Sequence, residues 1–276
     1  MPRCLIAIGS NLGDRAGALQ AVVRELDALP NTRVVARSRW HETTPRGGPA
    51  GQGPFLNGSV LAGTTLAPEE LLRECQQIER KAGRQRRERW AARSLDIDLL
   101  LYDTVVLCTD RLELPHPRMA FRRFALAPAA EVAPWMVHAE SGWIVADLLR
   151  NLHQPVEVFA VAAGAPARAD EFAALLARRL VLPLASAAGD TFRGACVRPW
   201  APADAGAPAH GRAMILALAG SCGIDARQMR RMLHLPERGP VAWIADRGAD
   251  DPLGQAVAAI QSAYPKLVAQ LPAGTA

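Results

Sequence analysis

The residues with the clearest chemical potential are two aspartates, Asp96 and Asp98, in the run LDIDLLL at residues 95–101. The run is short, apolar and bounded by charge, which predicts a strand buried on at least one face. Alternate residues of a strand project to the same side, so the two carboxylates should lie about 6–7 Å apart. Paired carboxylates can hold divalent cations against the phosphates of a substrate. The spacing therefore predicts a metal site, and the alternative is the polar face of an ordinary strand.

A cluster of basic residues stands directly before these aspartates. Within residues 81–93 there are six lysines and arginines and one acidic residue, Glu88. Guanidinium groups match phosphate oxygens and stay charged, so the cluster suits a nucleoside triphosphate. A solvated basic loop is one alternative, and an RNA-binding patch in which Trp90 stacks on a base is another. The nearby carboxylates would repel a nucleic-acid backbone, which favours a metal and nucleotide site without nucleic acid.

Single residues elsewhere can contact a nucleotide or a flat ring. His116 stands between two prolines that restrict its backbone, and Arg111 and Arg122 flank it in sequence. This context predicts a phosphate contact, with a purely structural role as the alternative. Phe55 and Asn57 are spaced as neighbours on one face of a strand, so a ring and an amide could together bind a heterocycle by stacking and hydrogen bonding.

Strands and helices must alternate to position these residues. Pro68, followed by two glutamates, begins a helix that ends near Gly83. Another helix follows the first strand, and residues 128–150 are helical in parts, with a break at Pro134. The Gly- and Pro-rich residues 43–53 form a long loop, which is usually functional in a compact domain. Strands are predicted at residues 5–8, 32–40, 55–64, 95–101 and 105–108, the last as a hairpin partner of residues 95–101.

Two domains are expected, because 276 residues exceed the usual length of one domain. The pattern resets near residue 155, where a second strand, turn and helix begin at residue 158, and a later strand is predicted at residues 241–245. We therefore expect one domain of strands and helices at residues 1–155 and a second, smaller α/β domain at residues 156–276.

Composition excludes several classes of protein. The net charge of +5 is spread over both halves, so neither is a polycation. The longest lightly polar stretch has about twelve residues, against roughly twenty for a membrane-spanning helix. The N-terminal apolar run is too short for a signal peptide, so we expect a cytoplasmic protein. The five cysteines are scattered without zinc-binding spacing, which predicts reduced, mostly buried thiols.

Five stretches of the first half occur in an order that is typical of one enzyme family. They are IAIGSNLGDR at 6–15, ETTPRGGPAGQGPFLNGSV at 42–60, QQIERKAGRQRRERWAARSLDIDLLL at 76–101, LPHPRM at 114–119 and FALAPAAEVAP at 124–134. Together they resemble 6-hydroxymethyl-7,8-dihydropterin pyrophosphokinase of folate biosynthesis. The resemblance implies a ferredoxin-like α+β core. It also implies transfer of the β,γ-pyrophosphoryl unit of ATP to the pterin hydroxymethyl oxygen, with release of AMP.

The same resemblance implies roles for individual residues. Asp96 and Asp98 would bind two Mg²⁺ ions and, with Arg84 and Arg93, would carry the catalysis. Asp96 would also lie near the pterin. The co-substrate ATP would contact Glu79, Arg86, Arg89, Trp90, Arg111, His116 and Arg122. The pterin would contact Thr43, Thr44, Pro45, Phe55, Asn57 and Phe124. The implied partners are these two small molecules, with no membrane and no nucleic acid. One departure is Ala91-Ala92, where the family commonly has Gly-Pro.

The second half is not explained by this family. Its opening resembles the first strand, loop and helix of nucleoside and nucleotide kinases, but the phosphate loop is missing. Counting from Gly164, that loop needs Gly, Lys and Ser or Thr where this sequence has Ala169, Asp170 and Glu171. We therefore expect a noncatalytic kinase-like remnant kept for packing or self-association. The alternatives are an unrelated α/β appendage and a second enzymatic activity.

Overall fold

The chain divides into two compact units. One comprises Met1–Met119, Arg123–Ala139 and Ile144–Leu149, and the other Ala120–Arg122, Glu140–Trp143 and Arg150–Ala276. The computed structural model describes residues 1–45, 52–83, 95–154, 158–180, 182–185, 195–200, 213–219, 232–233, 235, 240–245 and 251–264.

The first unit is built on a five-stranded antiparallel sheet. Strand β1 (Arg3–Ser10) is central and pairs with β4 (Phe55–Thr64) on one side and β5 (Asp96–Tyr102) on the other. Beyond β4 lie β2 (Thr32–Arg37) and β3 (His41–Thr43), giving the order β2-β4-β1-β5 with β3 beside β4. The chemistry-bearing aspartates are therefore on an edge strand next to the centre of the sheet.

Two helices cover one face of this sheet. Helix α1 (Arg15–Asp27) begins where the Asp14 carboxylate accepts a hydrogen bond from the backbone N of Gly17 (3.0 Å), and α2 (Pro68–Lys81) begins at a proline suited to a first turn. The apolar stripes of both helices pack on alternate residues of the strands. The core formed this way includes Ile6, Ile8, Val60, Ile97, Leu99, Leu19, Leu26, Leu71, Cys75 and Ile78.

The opposite face of the sheet is apolar at one end and polar at the other. Leu5 and Leu61 are register partners on this face and are buried, and α3 (Arg123–Val132) contacts β4, β1 and β3. The side chains further along the same face are those of Ala7, Asn57, Asp96 and Asp98. Strand alternation thus separates the core under α1 and α2 from a polar surface on the other side.

Two sequence-based predictions about strands need correction. Residues 105–108 do not pair beside β5; instead β6 (Leu107–Cys108) pairs with β7 (Glu113–Leu114). The backbone N of Ile97 and the backbone O of Leu100 in β5 bond to Glu79 and His116, so these groups are not available to a further strand. The strand predicted at 32–40 ends at Arg37. At the next residue, the Ser38 hydroxyl accepts a hydrogen bond from the backbone N of Ser59 in β4.

Ser59 and Ser38 make a testable contrast in stability. Ser59 is fully buried, and among the described residues its Oγ has no hydrogen-bond partner, whereas Ser38 Oγ accepts from the backbone N of Ser59 (2.9 Å). A buried unpaired hydroxyl costs about 1–3 kcal/mol. We expect Ser59→Ala to leave the free energy of unfolding unchanged or raised and Ser38→Ala to lower it, as measured by urea titration. A large loss of stability in Ser59→Ala would contradict this.

The second unit contains a four-stranded parallel sheet of order β11-β10-β12-β13. Its strands are β10 (Val158–Ala162), β11 (Cys196–Pro199), β12 (Ala213–Ala219) and β13 (Val241–Ala245). Helix α5 (Pro166–Leu180) contacts β10 and β11, and α6 (Pro252–Ala263) contacts β13 and α5. The strands and helix predicted at residues 158–180 and 241–245 are confirmed.

The remaining described elements are short. They are β8 (Val137–His138), β9 (Trp143–Ile144), α4 (Val145–Asn151) and a 3-10 turn at Met119–Phe121. Within the described ranges, no helix has both the length and the apolar character that a membrane crossing requires. Cys4, Cys75 and Cys196 are free and buried, whereas Cys108 is disulfide-bonded, so the expectation of reduced thiols is wrong at that position.

Candidate active site

Three neighbouring strands place polar residues in line on the sheet face away from α1 and α2. Gly9 in β1 is the register partner of Asn57 in β4 and of Asp96 in β5. One pair further along, Ala7 lies opposite Asp98 and Ser59. Residues directly opposite each other share a face of the sheet. Asn57 and Asp96 are therefore about two strand spacings apart, roughly 10 Å. The sequence predicts that these two residues bind different ligands.

Asp96 and Asp98 present their carboxylates on this face. Both residues are half-buried, whereas Ile97 between them is 5% exposed and belongs to the core under the helices. The common direction of the two side chains is the one that strand alternation predicts. The two carboxylates thus lie on the polar face of the sheet, while the strand that carries them is anchored by its apolar side.

Glu79 holds the same strand by its backbone. Its side chain is 4% exposed, and its Oε1 accepts a hydrogen bond from the backbone N of Ile97 at 2.8 Å. That N–H lies between the two aspartates in sequence. The resemblance places Glu79 on the ATP side, and in the structure Glu79 contacts the strand that carries Asp96 and Asp98. Glu79 therefore acts on the position of both carboxylates.

His116 approaches Asp98 with a defined ring nitrogen. Its Nδ1 accepts a hydrogen bond from the backbone N of Arg118 (3.1 Å), and its Nε2 lies 3.8 Å from Asp98 Oδ2. Its own backbone N donates to the carbonyl of Leu100 at 2.9 Å. Because Nδ1 is an acceptor, the neutral ring carries its proton on Nε2, facing the carboxylate. The structure brings these two predicted site residues together.

Asn57 forms a second part of the site. It is 7% exposed, and its Nδ2 donates to Thr43 Oγ1 at 2.8 Å. Thr43 is in turn the register partner of Phe55. A Cβ at Gly9 would lie 2.9 Å from Asn57 Oδ1, so the absence of a side chain at Gly9 makes room for this amide. Thr43, Phe55 and Asn57 are therefore held together at one end of β3 and β4.

The other predicted residues are placed as follows. Phe124 is half-buried in the first turn of α3, Thr44 is exposed and Pro45 is half-buried just after β3. Arg111 is exposed between β6 and β7, and Arg122 is half-buried just before α3. The arginine-rich segment lies outside the described residues, and with it the predicted Arg84, Arg86, Arg89, Trp90, Arg93 and the Ala91-Ala92 departure.

A carboxylate that sequence reasoning missed joins α3 to β3. Glu131 Oε2 accepts from the backbone N of Arg39 (2.9 Å), and its Oε1 accepts from Arg39 Nη2 (2.9 Å) and lies 2.9 Å from His41 Nε2. Hydrogen bonding to Arg39, the largest cause, lowers the pKa of Glu131 to about 2. Two features of the sequence pointed to it: Glu131 lies within the stretch FALAPAAEVAP that carries the resemblance, and it stands seven residues after Phe124, two helical turns along the same face.

The two carboxylates, Asp96 and Asp98, are suited to a Mg²⁺ ion that takes its other ligands from a substrate. In the part of the chain that the structure describes, no group of three or more His, Cys, Asp or Glu side chains could hold a metal ion. Mg²⁺ prefers oxygen ligands and is commonly bound by one or two carboxylates together with substrate phosphates. Asp96 and Asp98 supply those two carboxylates. The site is therefore suited to an ion that binds together with a phosphorylated ligand.

Comparison with known proteins gives one consistent family. Residues 5–134 match the family model of 7,8-dihydro-6-hydroxymethylpterin-pyrophosphokinase (HPPK). The 2-amino-4-hydroxy-6-hydroxymethyldihydropteridine pyrophosphokinase of Methylorubrum extorquens is 44% identical over 137 residues, which are 50% of this chain and 86% of that protein. The protein of the same name from Pseudomonas aeruginosa is 42% identical over 132 residues, 48% of this chain and 81% of that protein.

Among solved structures, the chain is similar to the HPPK-DHPS of Plasmodium falciparum. The TM-score is 0.44 at 11% sequence identity, and the similarity covers 79% of this chain and 62% of that one. The sequence relatives align with about half of this chain.

Proposed function

Because this chain belongs to the 7,8-dihydro-6-hydroxymethylpterin-pyrophosphokinase family, it is a diphosphokinase of folate biosynthesis, and we propose that the polar sheet face is its active site. The enzyme transfers the pyrophosphoryl unit of ATP to 6-hydroxymethyl-7,8-dihydropterin, giving the pterin diphosphate and AMP. One observation carries the location of the site. Asp96 and Asp98 present half-buried carboxylates on the same face as Asn57. Between Asn57 and Asp96 lies Gly9 of β1, which has no side chain and is the register partner of both.

We assign the nucleotide and metal to the β5 side of this face. Asp96 and Asp98 would hold two Mg²⁺ ions, which when bound neutralise the triphosphate and polarise its phosphorus–oxygen bonds. His116 would orient Asp98 through its Nε2 proton, since the ring is fixed at Nδ1 and lies 3.8 Å from that carboxylate. Glu79 would keep β5 in place from the helix side. These residues position charge before the reaction begins, which is how most enzymes stabilise a phosphoryl transition state.

The arginines complete the nucleotide side of the proposal. Arg84 and Arg93 would stabilise the charge on the transferred group, and an arginine in this role is worth roughly 10³–10⁵ in rate. The remaining contacts to ATP would come from Arg86, Arg89, Trp90, Arg111, His116 and Arg122.

The pterin is assigned to the β3 and β4 side. Its ring would lie against Phe55 and Phe124, and its polar edge would bond to Asn57, whose amide is held by Thr43. Thr44 and Pro45 follow directly after β3 and would line the same pocket. The pterin hydroxymethyl oxygen would attack the β-phosphorus, while the bond from that phosphorus to the oxygen of the α-phosphate breaks. Held aromatic and amide groups fix the acceptor, which lowers the entropic part of the barrier.

The Gly9→Ala variant tests the pterin side. An added methyl group would lie 2.9 Å from Asn57 Oδ1, so the Asn57 amide must move, which disturbs its hydrogen bond to Thr43. We expect the KM for the pterin to rise about tenfold, equivalent to about 1.4 kcal/mol of lost binding, with little change in the KM for ATP. Steady-state kinetics with each substrate varied in turn measures this. An unchanged pterin KM with a raised ATP KM would contradict the assignment.

The division of the chain is proposed on the same basis. Residues 1–155 would form the pyrophosphokinase domain, and the strand order β2-β4-β1-β5 with α1 and α2 on one face supports a ferredoxin-like core. Residues 156–276 would form a second, smaller α/β domain, supported by the parallel sheet β11-β10-β12-β13. We infer that it is a noncatalytic kinase-like remnant kept for packing or self-association, since Asp170 replaces the lysine that a phosphate loop needs.

The activity is tested by product analysis. The full chain is incubated with ATP, Mg²⁺ and 6-hydroxymethyl-7,8-dihydropterin, and the nucleotides and pterins are separated and identified by mass. AMP and the pterin diphosphate are expected in equal amounts, and both should depend on Mg²⁺. Formation of ADP instead would mean transfer of one phosphoryl group and would contradict the proposal.

A further inference from the structure

Glu131 joins two elements that are far apart in the chain. It lies near the end of α3, and its two partners lie just before β3 and at the first residue of β3. The carboxylate accepts from the Arg39 backbone N (2.9 Å), from Arg39 Nε (3.3 Å) and from Arg39 Nη2 (2.9 Å), and lies 2.9 Å from His41 Nε2. One side chain thus makes four directional contacts across the junction of α3 and β3.

The two joined elements carry opposite parts of the proposed pterin site. His41 and Thr43 are alternate residues of β3, and Thr43 accepts the hydrogen bond from Asn57. Phe124 is seven residues before Glu131 on α3, so both lie on the same face of that helix. A contact at Glu131 therefore sets how the face that carries Phe124 meets the strand that carries Thr43.

The apolar packing of α3 cannot set this position precisely. The buried residues of the helix are Ala125, Leu126, Pro128 and Ala129, and only Leu126 carries a long apolar side chain. Contacts of this kind are non-directional, so a small slide of the helix costs little apolar burial. Hydrogen bonds to a carboxylate depend on distance and angle and are about twice as strong as neutral ones. The hydrogen bond from Arg39 lowers the pKa of Glu131 and so favours its charged form.

We propose that Glu131 is a positioning residue that holds α3 against β3 so that Phe124 and Thr43 contact the same bound pterin. This inference rests on the proposed assignment of the pterin to β3, β4 and α3. Glu131 itself does not touch the substrate in this account. It acts through the two elements that it joins, and the nucleotide side of the site is independent of it.

The test compares the kinetic constants of variants at Glu131 and at Arg39. Glu131→Ala should raise the KM for the pterin about tenfold while the KM for ATP stays within about twofold of the wild type. Glu131→Gln retains a side-chain oxygen that can accept from the Arg39 backbone N. Its KM for the pterin should therefore lie between those of the wild type and Glu131→Ala. The matched control is Glu25→Ala, which removes an exposed ion pair with Lys81 (3.2 Å) between α1 and α2. Its kinetic constants should equal those of the wild type.

Arg39→Met provides a variant that is not expected to affect folding. The Arg39 side chain is 85% exposed, and the substitution keeps the backbone N–H that bonds to Glu131. A rise of about threefold in the pterin KM is expected, because part of the contact remains.

The outcomes separate this inference from the proposed function. If the wild type and Glu25→Ala form AMP and the Glu131 and Arg39 variants have an unchanged pterin KM, the positioning role is wrong and the proposed function stands. Equal rises in both KM values would also overturn it, because they indicate a general structural effect. Absence of AMP from the wild type would instead contradict the proposed function.

Discussion

Replacing Asp96 or Asp98 by asparagine is expected to reduce AMP formation by roughly 10³-fold or more, because each change removes a negative oxygen from the pair that would hold Mg²⁺. The fold should be unaffected, since both side chains are half-buried on the polar face and the core lies on the other side of β5. The measurement is kcat/KM for each substrate, together with the unfolding temperature of each variant.

Asp110→Asn is the control for these variants. Asp110 is exposed between β6 and β7, and its substitution by asparagine removes the same charge from the protein. It should retain wild-type turnover. The account would be contradicted if Asp96→Asn or Asp98→Asn kept more than about a tenth of the wild-type rate, which corresponds to a loss of less than about 1.4 kcal/mol of transition-state stabilisation. An RNA-binding loop, the alternative open from the sequence, would bind RNA as well or more tightly after either change.

Glu79→Ala is expected to have the second largest effect. The change leaves the backbone N–H of Ile97 buried without its carboxylate acceptor, at a cost of about 1–3 kcal/mol. Because Ile97 lies between Asp96 and Asp98, the strand that carries both carboxylates should also shift. A displacement of about 1 Å at a reacting group can cost roughly 10²-fold in rate. Both the free energy of unfolding and kcat should therefore fall, as measured by urea titration and steady-state kinetics.

Glu79→Gln separates the two effects. The side-chain amide oxygen in this variant can still accept from the backbone N of Ile97. The free energy of unfolding of Glu79→Gln should therefore be close to that of the wild type. Glu74→Ala is the matched control on the same helix, since Glu74 accepts an exposed hydrogen bond from Gln77 Nε2 (3.2 Å) and does not contact β5 through any hydrogen bond within the described residues. If Glu79→Ala were as active and as stable as Glu74→Ala, the positioning role of Glu79 would be wrong.

Much of the site's framework could be predicted from the sequence because it depends on local periodicity. Strand β4 spans the predicted residues 55–64, and α2 begins at Pro68 and ends at Lys81, close to the predicted end near Gly83. The shared direction of Asp96 and Asp98 follows from alternation in a single strand. Each of these features is set by residues within one element, where side-chain spacing and capping chemistry decide the outcome.

The contacts between elements could not be predicted in this way. Glu131 and Arg39 are 92 positions apart, and no periodicity relates one to the other. The pairing of β6 with β7 rather than β5 depends on the backbone bonds that Glu79 and His116 make to β5. The ring nitrogen that His116 turns to Asp98 depends on a backbone N–H two residues later. Such features follow from tertiary packing, which a single sequence does not encode locally.

The central claim is that Mg²⁺ and the nucleotide bind together at Asp96 and Asp98 on the polar face of the sheet. The most direct test is nuclear magnetic resonance of the ¹⁵N-labelled full chain with Mn²⁺ in place of Mg²⁺ and a non-hydrolysable ATP analogue. The account predicts that the amide signals of Ala7, Gly9 and Ile97 broaden more strongly than those of α1 on the other face of the sheet, and that Asp96→Asn with Asp98→Asn abolishes this broadening. Broadening that persists in this double variant, or that is confined to other residues, would contradict the account.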